Sequence, residues 1–198
     1  MSKTILVSGF QPFGGESVNP SFEAVRRLPD EIGDMRLIRM ELPVAFAEAA
    51  ALLLEKIREI RPDAVLAVGQ AGGRKGITPE LIAVNVQNGG IPDNSGRQPA
   101  WEPILAGGPD GIFTRLPVRE MVRAMRGAGI EASLSLSAGA FVCNDLMYQV
   151  LAATAESGLP FGFIHVPFLP EQTADKPGAA SMPLEDIVKG LAICLSVL

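Results

Sequence analysis

The sequence predicts an α/β protein, a three-layer α/β/α sandwich with a mostly parallel (mixed) central sheet. Strand-like and helix-like runs alternate along almost the whole chain, which is the pattern of strands joined by crossover helices. The run at 64–68 is short and apolar throughout, as expected for a strand in a sheet covered on both faces. Because 198 residues suffice for one full-sized core and no repeat or linker-like stretch interrupts them, we expect a single domain over 1–198.

The individual elements follow from local periodicity. Apolar and β-branched runs predict strands over 3–9, 35–42, 64–68, 81–86, 130–136 and 161–166. Apolar residues at helical spacing predict helices over 20–28, 43–61, 118–126, 141–157 and 184–198. Asn19 and Pro20 form the favoured combination of a capping residue and a first helical residue, which places the start of the first helix.

Residues 87–115 form one long stretch without periodicity. Glycine and proline recur through it, so we expect irregular structure. A segment of this kind inside a compact domain is usually functional or disordered. It contains Trp101, the only tryptophan of the chain, so we expect part of this stretch to pack against the rest of the protein.

Composition excludes several classes of partner. The net charge is −5, the isoelectric point is near 5.0 and no basic block is present, so we expect no nucleic acid and no anionic membrane surface as a partner. The apolar run at the N-terminus is too short for a signal peptide, and no run approaches the roughly 18 apolar residues of a membrane span. We therefore expect a cytoplasmic protein.

The cysteines and the histidine are few. Cys143 and Cys194 do not make a disulfide framework, which fits a reducing compartment. With His165 as the only histidine, a zinc site of the usual cysteine and histidine type lacks ligands, so we expect no metal. Cys194 lies in the last apolar helical stripe, where we expect it to pack in the core or at a subunit interface.

Cys143 stands where a reactive cysteine would stand. A small-residue turn at 137–140 leads into a predicted helix, and Cys143 lies at its start. The partial positive charge of a helix N-terminus lowers the pKa of a thiol and favours the nucleophilic thiolate. A free cysteine is nevertheless more often a buried structural residue, and this stretch alone favours that interpretation.

His165 is the natural partner for a cysteine nucleophile, which needs a base to accept its proton. It ends the strand that follows the Cys143 helix, and sites in α/β folds gather at the carboxyl ends of strands. A core histidine held by hydrogen bonds is an equally good interpretation from spacing alone. The acid that would orient the histidine is also open, and the candidates are Glu80, Asp93, Asp145 and Glu171.

The loop 9–15 is bounded by glycines and carries Phe10 and Phe13. It lacks the spacing of a dinucleotide fingerprint, and no Gly-Lys-Ser/Thr follows it. Its two rings suit the wall of an apolar ligand pocket or ordinary core packing better than a phosphate site.

Several segments, in a fixed order along nearly the whole chain, carry a resemblance to one family. They are Gly-Phe-Gln-Pro-Phe-Gly-Gly at 9–15 with Asn-Pro at 19–20, Gly-Gln-Ala-Gly-Gly-Arg at 69–74, Ile-Thr-Pro-Glu at 77–80 with Ala83 and Asn85, Ile-Pro-Asp-Asn at 91–94, Ser-Ala-Gly at 137–139 with Phe-Val-Cys-Asn at 141–144, Phe-Ile-His-Val-Pro at 163–167 and Pro-Glu-Gln at 170–172. Together they are highly specific. The chain resembles the pyroglutamyl-peptidase I (pyrrolidone-carboxylate peptidase) family.

The resemblance implies a cysteine peptidase that removes N-terminal pyroglutamyl residues from peptides, with an α/β/α fold, a homotetrameric assembly and no metal or cofactor. It implies Cys143 as the nucleophile, His165 as general base and acid, and Glu80 as the orienting carboxylate. It also implies a substrate pocket, which consists of Phe10, Phe13, Asn19, Gln70 (through its backbone), Ile91, Phe141 and Val142. Apolar walls with a few placed polar groups suit a neutral lactam.

One position departs from the family pattern, which commonly has an arginine just before Ile-Pro-Asp-Asn. Here Gly90 precedes Ile91. The family arginine is thought to act near the developing oxyanion, and loss of one such donor costs roughly two to three orders of magnitude in rate. Arg74 or Arg97 is a possible substitute. The alternative function is therefore a catalytically weakened relative that binds lactam-capped peptides or small lactams, and a nucleoside-binding module on a similar scaffold is a more distant one.

Overall fold

A computed structural model describes residues 2–198 and contains one central sheet of six strands. The strands of the protein are β1 (Lys3–Phe10), β2 (Glu31–Ile32), β3 (Met35–Leu42), β4 (Ala64–Gln70), β5 (Thr78–Pro79), β6 (Ile82–Val84), β7 (Gly111–Phe113) and β8 (Phe161–Val166). The order in the central sheet is β2-β3-β1-β4-β8-β5, and its inner pairs are parallel whereas the two edge pairs are antiparallel. The predicted mixed and mostly parallel sheet is confirmed.

Helices cover both faces of this sheet. They are α1 (Pro20–Arg27), α2 (Glu48–Ile60), α3 (Val118–Gly127), α4 (Val142–Ala153) and α5 (Leu184–Leu195), with one 3-10 turn at Pro170–Thr173. α1, α3 and α5 pack together on one face, and α2 and α4 pack together on the other. Neighbouring residues of β1 therefore enter different cores, Ile5 and Val7 on the α1 side and Leu6 on the α2 side. The structure is the predicted α/β/α sandwich.

The start of α1 follows the prediction. The Asn19 side-chain oxygen accepts hydrogen bonds from the backbone N–H of Ser21 at 3.1 Å and from its hydroxyl at 2.7 Å. Pro20 occupies the first helical position, where a missing N–H costs nothing. The Asn19 amide nitrogen also donates to the Gln11 carbonyl at 2.9 Å, so the cap ties the helix to the loop after β1.

The predicted strand at 130–136 is wrong as a regular strand. The segment is extended and pairs in parallel fashion with 77–81, but it forms only isolated bridges. Ser133 donates to the Ile77 carbonyl and Ser135 donates to the Pro79 carbonyl, at 3.1 and 2.9 Å. Pro79 has no N–H to return, so the ladder is interrupted there. β8 is consequently flanked by β4 and β5 rather than by the segment that precedes Cys143.

The helix predicted over 43–61 begins later, at Glu48. Ala47 has a φ of 63°, which no right-handed helix tolerates, so Phe46 lies in a loop. Two carboxylates hold this loop: Asp93 accepts from the Phe46 N–H at 2.8 Å, and Asp145 accepts from the Ala47 N–H at 2.9 Å. These long-range contacts carry no local sequence signal.

The region 81–115 differs from the prediction in three ways. β6 is shorter than predicted and pairs only with β7, in a separate two-stranded sheet that the sequence did not predict. Asn144 of α4 anchors this sheet through hydrogen bonds with the N–H and carbonyl of Val84 at 2.9 and 2.8 Å. Part of the stretch is packed, as Gln87 and Asp93 are buried, but Trp101, from which that packing was inferred, is itself 74% exposed.

Two further predicted helices end early, α4 at Ala153 and α5 at Leu195. The short edge strands β2 and β5 lack the length that periodicity needs, and neither was predicted. Within residues 2–198, none of the helices combines the length and apolar character that a membrane crossing requires.

Candidate active site

His165 and Glu80 are brought together by the sheet. His165 is the fifth residue of β8, and antiparallel pairing places Thr78 of β5 directly opposite it. Glu80 follows β5 immediately, and its Oε1 lies 2.7 Å from Nδ1 of His165. An ionised carboxylate only accepts hydrogen bonds, so His165 donates from Nδ1 and leaves Nε2 as the free acceptor.

Glu80 is fully buried and ionised. Burial raises the pKa of this carboxyl, but the hydrogen bond and charge of His165, the nearby Ser135 hydroxyl and the Arg74 charge outweigh it and hold the pKa below its ordinary value. Arg74 donates from Nη1 to the same Oε1 at 2.6 Å. Oε2 of Glu80 has no hydrogen-bond partner among residues 2–198.

Cys143 is the second residue of α4, whose first residue is Val142. Its backbone N–H therefore has no acceptor inside the helix and points out of the helix N-terminus. The sulfur lies against the end of β4, because a Cβ placed on Gly69 would be 3.0 Å from Sγ. Gly69 is in turn the residue paired with His165 in the β4–β8 register. Cys143 and His165 thus line one cavity, although no hydrogen bond joins them in residues 2–198.

Gly69 is required by this close approach. A Cβ there would also lie 2.7 Å from Cζ of Phe163. We expect Gly69→Ala to displace Sγ of Cys143, to lower kcat, and to cost roughly 1–3 kcal/mol of unfolding free energy. Gly127→Ala is the matched control, because a Cβ there meets nothing within 4 Å and its φ is ordinary. Equal kcat values for the two variants would contradict this expectation; thermal denaturation and initial rates provide the measurement.

The resting protonation state is a neutral thiol beside a neutral imidazole. Burial, together with the negative charge of Glu80, raises the pKa of Cys143 to about 12, and the Arg74 charge only partly opposes this. Burial lowers the pKa of His165, with Glu80 opposing and Arg74 adding to the decrease. Burial and the Glu80 charge thus oppose the thiolate form that the start of a helix favours.

His165 is the only imidazole in the chain, so its protonation can be followed without interference. We expect its ring to be neutral at pH 7, with a pKa below the ordinary value of 6.5. The unfolded chain then binds this proton at a higher pH than the folded protein does. Stability from this group is complete above the unfolded pKa and is lost as the pH falls through about 6.5. Histidine-labelled NMR titration, paired with denaturant unfolding, measures both effects; a protonated ring at pH 7 would contradict them.

The four candidate acids lie in different parts of the structure. Asp93 and Asp145 hold the loop before α2, and Glu171 is exposed on the 3-10 turn. Of these four acids, only Glu80 contacts His165. Residue spacing carried no signal for this contact.

A cavity of about 290 Å³ adjoins the sulfur and the imidazole. Six of the seven predicted pocket residues line it, and they are Phe10, Phe13, Asn19, Gln70, Phe141 and Val142. The seventh, Ile91, lies outside the lining with a side chain that is 45% exposed. A Cβ on Gly14 would be 3.7 Å from Ile91 Cδ1, so Ile91 covers the outside of the loop after β1 instead.

Other residues of the lining carried no individual prediction, and they are Val44, Ala71, Ser137, Ala138 and Gly139. Three of them belong to the small-residue turn before Cys143, whose φ of 79° at Gly139 explains the glycine. Arg74 also lines the cavity, whereas Arg97 hydrogen-bonds to Gln87 and lies over the Phe46 ring. The signal for Arg74 was its position at the end of a glycine-rich loop after β4.

Cys194 is fully buried in the core, with Sγ 3.5 Å from Sδ of Met125. Burial raises its pKa to about 12. It has no nearby histidine, because His165 lies beside Cys143. Within residues 2–198, no three histidine, cysteine or acidic side chains are grouped closely enough to hold a metal ion.

Comparison with known proteins identifies a family for this chain. The family model described as "Pyroglutamyl peptidase" matches residues 3–198. A pyrrolidone-carboxylate peptidase of Thermococcus onnurineus is 50% identical over 96% of this chain and 96% of its own length. A relative of the same name from Lactobacillus johnsonii is 49% identical over 98% of this chain and 91% of its own length.

A solved structure extends the comparison to the fold. The crystal structure of pyroglutamyl peptidase I from Bacillus amyloliquefaciens superposes with a TM-score of 0.96 at 42% identity, covering 100% of this chain and 95% of that one. Sequence and fold agree over almost the full length of both proteins. The chain belongs to the pyroglutamyl peptidase family, the cysteine peptidases that remove N-terminal pyroglutamate.

Proposed function

We propose that Cys143, His165 and Glu80 form the catalytic triad of this cysteine-type omega peptidase, and that the 290 Å³ cavity binds the pyroglutamyl ring. The observation that carries the proposal is the 2.7 Å contact between Glu80 and Nδ1 of His165 at the wall of the cavity that Cys143 also lines. This contact fixes the tautomer and leaves Nε2 as the ring nitrogen that is available to the thiol. A buried carboxylate, an imidazole and a thiol in this order are the parts of a nucleophilic triad.

The first half-reaction forms a thioester. Nε2 of His165 accepts the thiol proton while Sγ of Cys143 forms a bond to the pyroglutamyl carbonyl carbon. The carbonyl oxygen becomes an oxyanion, which the Cys143 backbone N–H at the start of α4 is placed to stabilise. Nε2 then gives its proton to the leaving amine nitrogen as the C–N bond breaks. Glu80 stabilises the imidazolium that exists between these two transfers.

The second half-reaction releases pyroglutamate. Water loses a proton to Nε2 of His165 and attacks the thioester carbon, and the C–S bond breaks as Sγ of Cys143 recovers its proton. Because burial raises the pKa of Cys143 and lowers the pKa of His165, we expect His165 to act as a general base rather than as half of a preformed ion pair. Hydrogen bonds that are long in an empty site tighten when substrate is bound.

The cavity fits a neutral lactam. Phe10, Phe13, Phe141 and Val142 supply apolar walls, and the residues of the lining include no carboxylate that would await a free α-amine. The Asn19 oxygen accepts from Ser21 and one of its amide N–H groups donates to the Gln11 carbonyl, so only the second amide N–H remains for the ring. The backbone of Gln70 supplies the second polar contact. An analogue that lacks one lactam polar group should bind poorly, because its partner is left buried and unpaired.

Alkylation tests the nucleophile assignment. One equivalent of iodoacetamide should modify Cys143, abolish turnover of a pyroglutamyl amide, and be slowed by saturating 2-pyrrolidone. Cys194 provides the internal control, because its side chain is fully buried and should remain unmodified in the folded protein. Peptide mass mapping locates the label. Full activity after complete labelling of Cys143 would refute the proposal.

The alternative function, a weakened relative that mainly binds lactams, rests on Gly90. This residue is exposed, has an ordinary φ, and would place a Cβ in open space, so an arginine fits there without strain. The backbone N–H of Asn88, two residues before Gly90, donates to the Ala140 carbonyl at 2.7 Å. This hydrogen bond connects the segment around Gly90 to the small-residue turn before Cys143.

Gly90→Arg decides how much the missing arginine matters. We expect the variant to fold normally and to raise kcat by roughly 10-fold or more, since one added oxyanion donor is worth up to two or three orders of magnitude. Gly90→Gln is the control for added side-chain volume without charge. An unchanged kcat in Gly90→Arg would remove the reason for the alternative function.

We propose a homotetramer in a cytoplasmic setting. The side chains of Trp101, Phe113 and Leu136 are 74%, 62% and 68% exposed, and burying them between subunits would remove apolar surface from water. A thiol nucleophile also needs a compartment that keeps cysteine reduced. Analytical ultracentrifugation gives the assembly directly, and a monomer at micromolar concentration would contradict it.

A further inference from the structure

We infer that Arg74 is a positioning residue for catalysis, which holds the Glu80 carboxylate toward His165 and ties it to the loop that carries Cys143. The inference rests on the proposed triad and adds a fourth side chain to it. Arg74 lies in the loop between β4 and β5, and none of the assigned catalytic or pocket roles includes it.

The first support is the ion pair itself. Nη1 of Arg74 lies 2.6 Å from Oε1 of Glu80, the same oxygen that accepts from Nδ1 of His165. Glu80 is 0% exposed and Arg74 is 26% exposed. A buried carboxylate needs compensation by charge and hydrogen bonds to remain ionised. Arg74 is the only Lys or Arg side chain paired with Glu80 within residues 2–198.

The second support is the other end of the guanidinium. Nη2 of Arg74 donates to the Ser137 carbonyl at 3.0 Å, and Nη1 also contacts the Thr78 hydroxyl. Ser137 begins the small-residue turn that leads into Cys143. One planar group with fixed donor directions therefore joins β5 with the turn before α4. This link adds to the isolated bridge between Glu80 and Ser135, and it extends the connection from the acid to the turn that leads into the nucleophile.

The third support is electrostatic. The charged or titratable groups that face the His165 ring are Glu80, Arg74 and the Cys143 thiol. The Arg74 charge opposes protonation of His165 and keeps the ring available as a base. It also limits the rise in the pKa of Cys143 that burial and Glu80 cause.

Arg74→Met tests the inference, because methionine keeps an unbranched apolar stem and removes charge and donors. We expect kcat to fall roughly 100-fold with KM little changed, as for loss of a group that orients a catalytic ligand. The single histidine should also protonate at a higher pH in an NMR titration. Arg74→Lys keeps the charge but loses the planar fork, so it should restore the His165 titration and only part of kcat.

Two comparisons keep the result specific. Lys75→Met removes the neighbouring positive charge, which does not contact Glu80, and should leave both readouts at wild-type values. In a Glu80→Gln background, Arg74→Met should cause little further loss, because the two residues act as a unit. Wild-type kcat and His165 titration in Arg74→Met would overturn the inference. That result would not contradict the proposed triad. The triad would be contradicted only if Cys143 or His165 proved dispensable for turnover.

Discussion

Cys143→Ala is expected to lower turnover of a pyroglutamyl amide by roughly a million-fold, the scale seen when a hydrolase loses its nucleophile. No other group can replace the sulfur, because Cys194, the second cysteine, is fully buried beside Met125. The substitution removes a few atoms at a partly accessible site, so the fold should be retained. Steady-state assays beside calorimetric titration with a pyroglutamyl peptide separate chemistry from binding.

The controls make this result decisive. Cys194→Ala should retain full specific activity while losing some stability, since it leaves a small cavity in the core. Cys143→Ala should still bind a pyroglutamyl peptide, because the cavity walls are unchanged. Substantial turnover by Cys143→Ala would show that another group attacks the carbonyl.

Glu80→Gln is expected to lower kcat by about 10⁴-fold while leaving the fold intact. The amide has the same shape but cannot stabilise an imidazolium, and it allows the wrong tautomer of His165. It also leaves the Arg74 guanidinium without its anionic partner. Because the pKa of Glu80 is held below its ordinary value, wild-type stability from this group is present above the unfolded pKa and is lost as the pH falls.

Kinetic assays across pH, with denaturant unfolding of the same samples, measure both parts of this prediction. Glu171→Gln provides the matched control, because this candidate acid is exposed on the 3-10 turn and should have no effect. A Glu80→Gln enzyme within tenfold of wild type would remove Glu80 from the triad.

The sequence predicted most of the frame because each large element has a local signal. β3 was predicted at its observed bounds, and α1 was located by the Asn19 and Pro20 pair. The errors lie where contacts between residues far apart in sequence determine the backbone conformation. The φ of Ala47 is set by hydrogen bonds to Asp93 and Asp145, far along the chain, so the late start of α2 has no local cause.

The site could be predicted only in part, because contacts between residues far apart in sequence also determine its geometry. Spacing alone did not distinguish Glu80 from three other acids, since the contact with His165 depends on the antiparallel pairing of a two-residue strand. The resemblance supplied that residue. It also supplied Ile91 as a pocket residue, which the structure places outside the cavity lining. The rise that burial causes in the pKa of Cys143 could not be predicted from the position of this residue at a helix start.

The order of strands has a consequence for how this enzyme is made. β8 is the last strand in the chain, yet it lies between β4 and β5 in the sheet. The two halves of the site, Glu80 and His165, are separated by 85 residues in sequence. During synthesis the central sheet therefore cannot form completely until β8 has been made. Contacts between residues so far apart in sequence also form late and slowly during folding. Catalytic competence should thus coincide with completion of the chain, so that a truncated or half-folded product carries no peptidase activity.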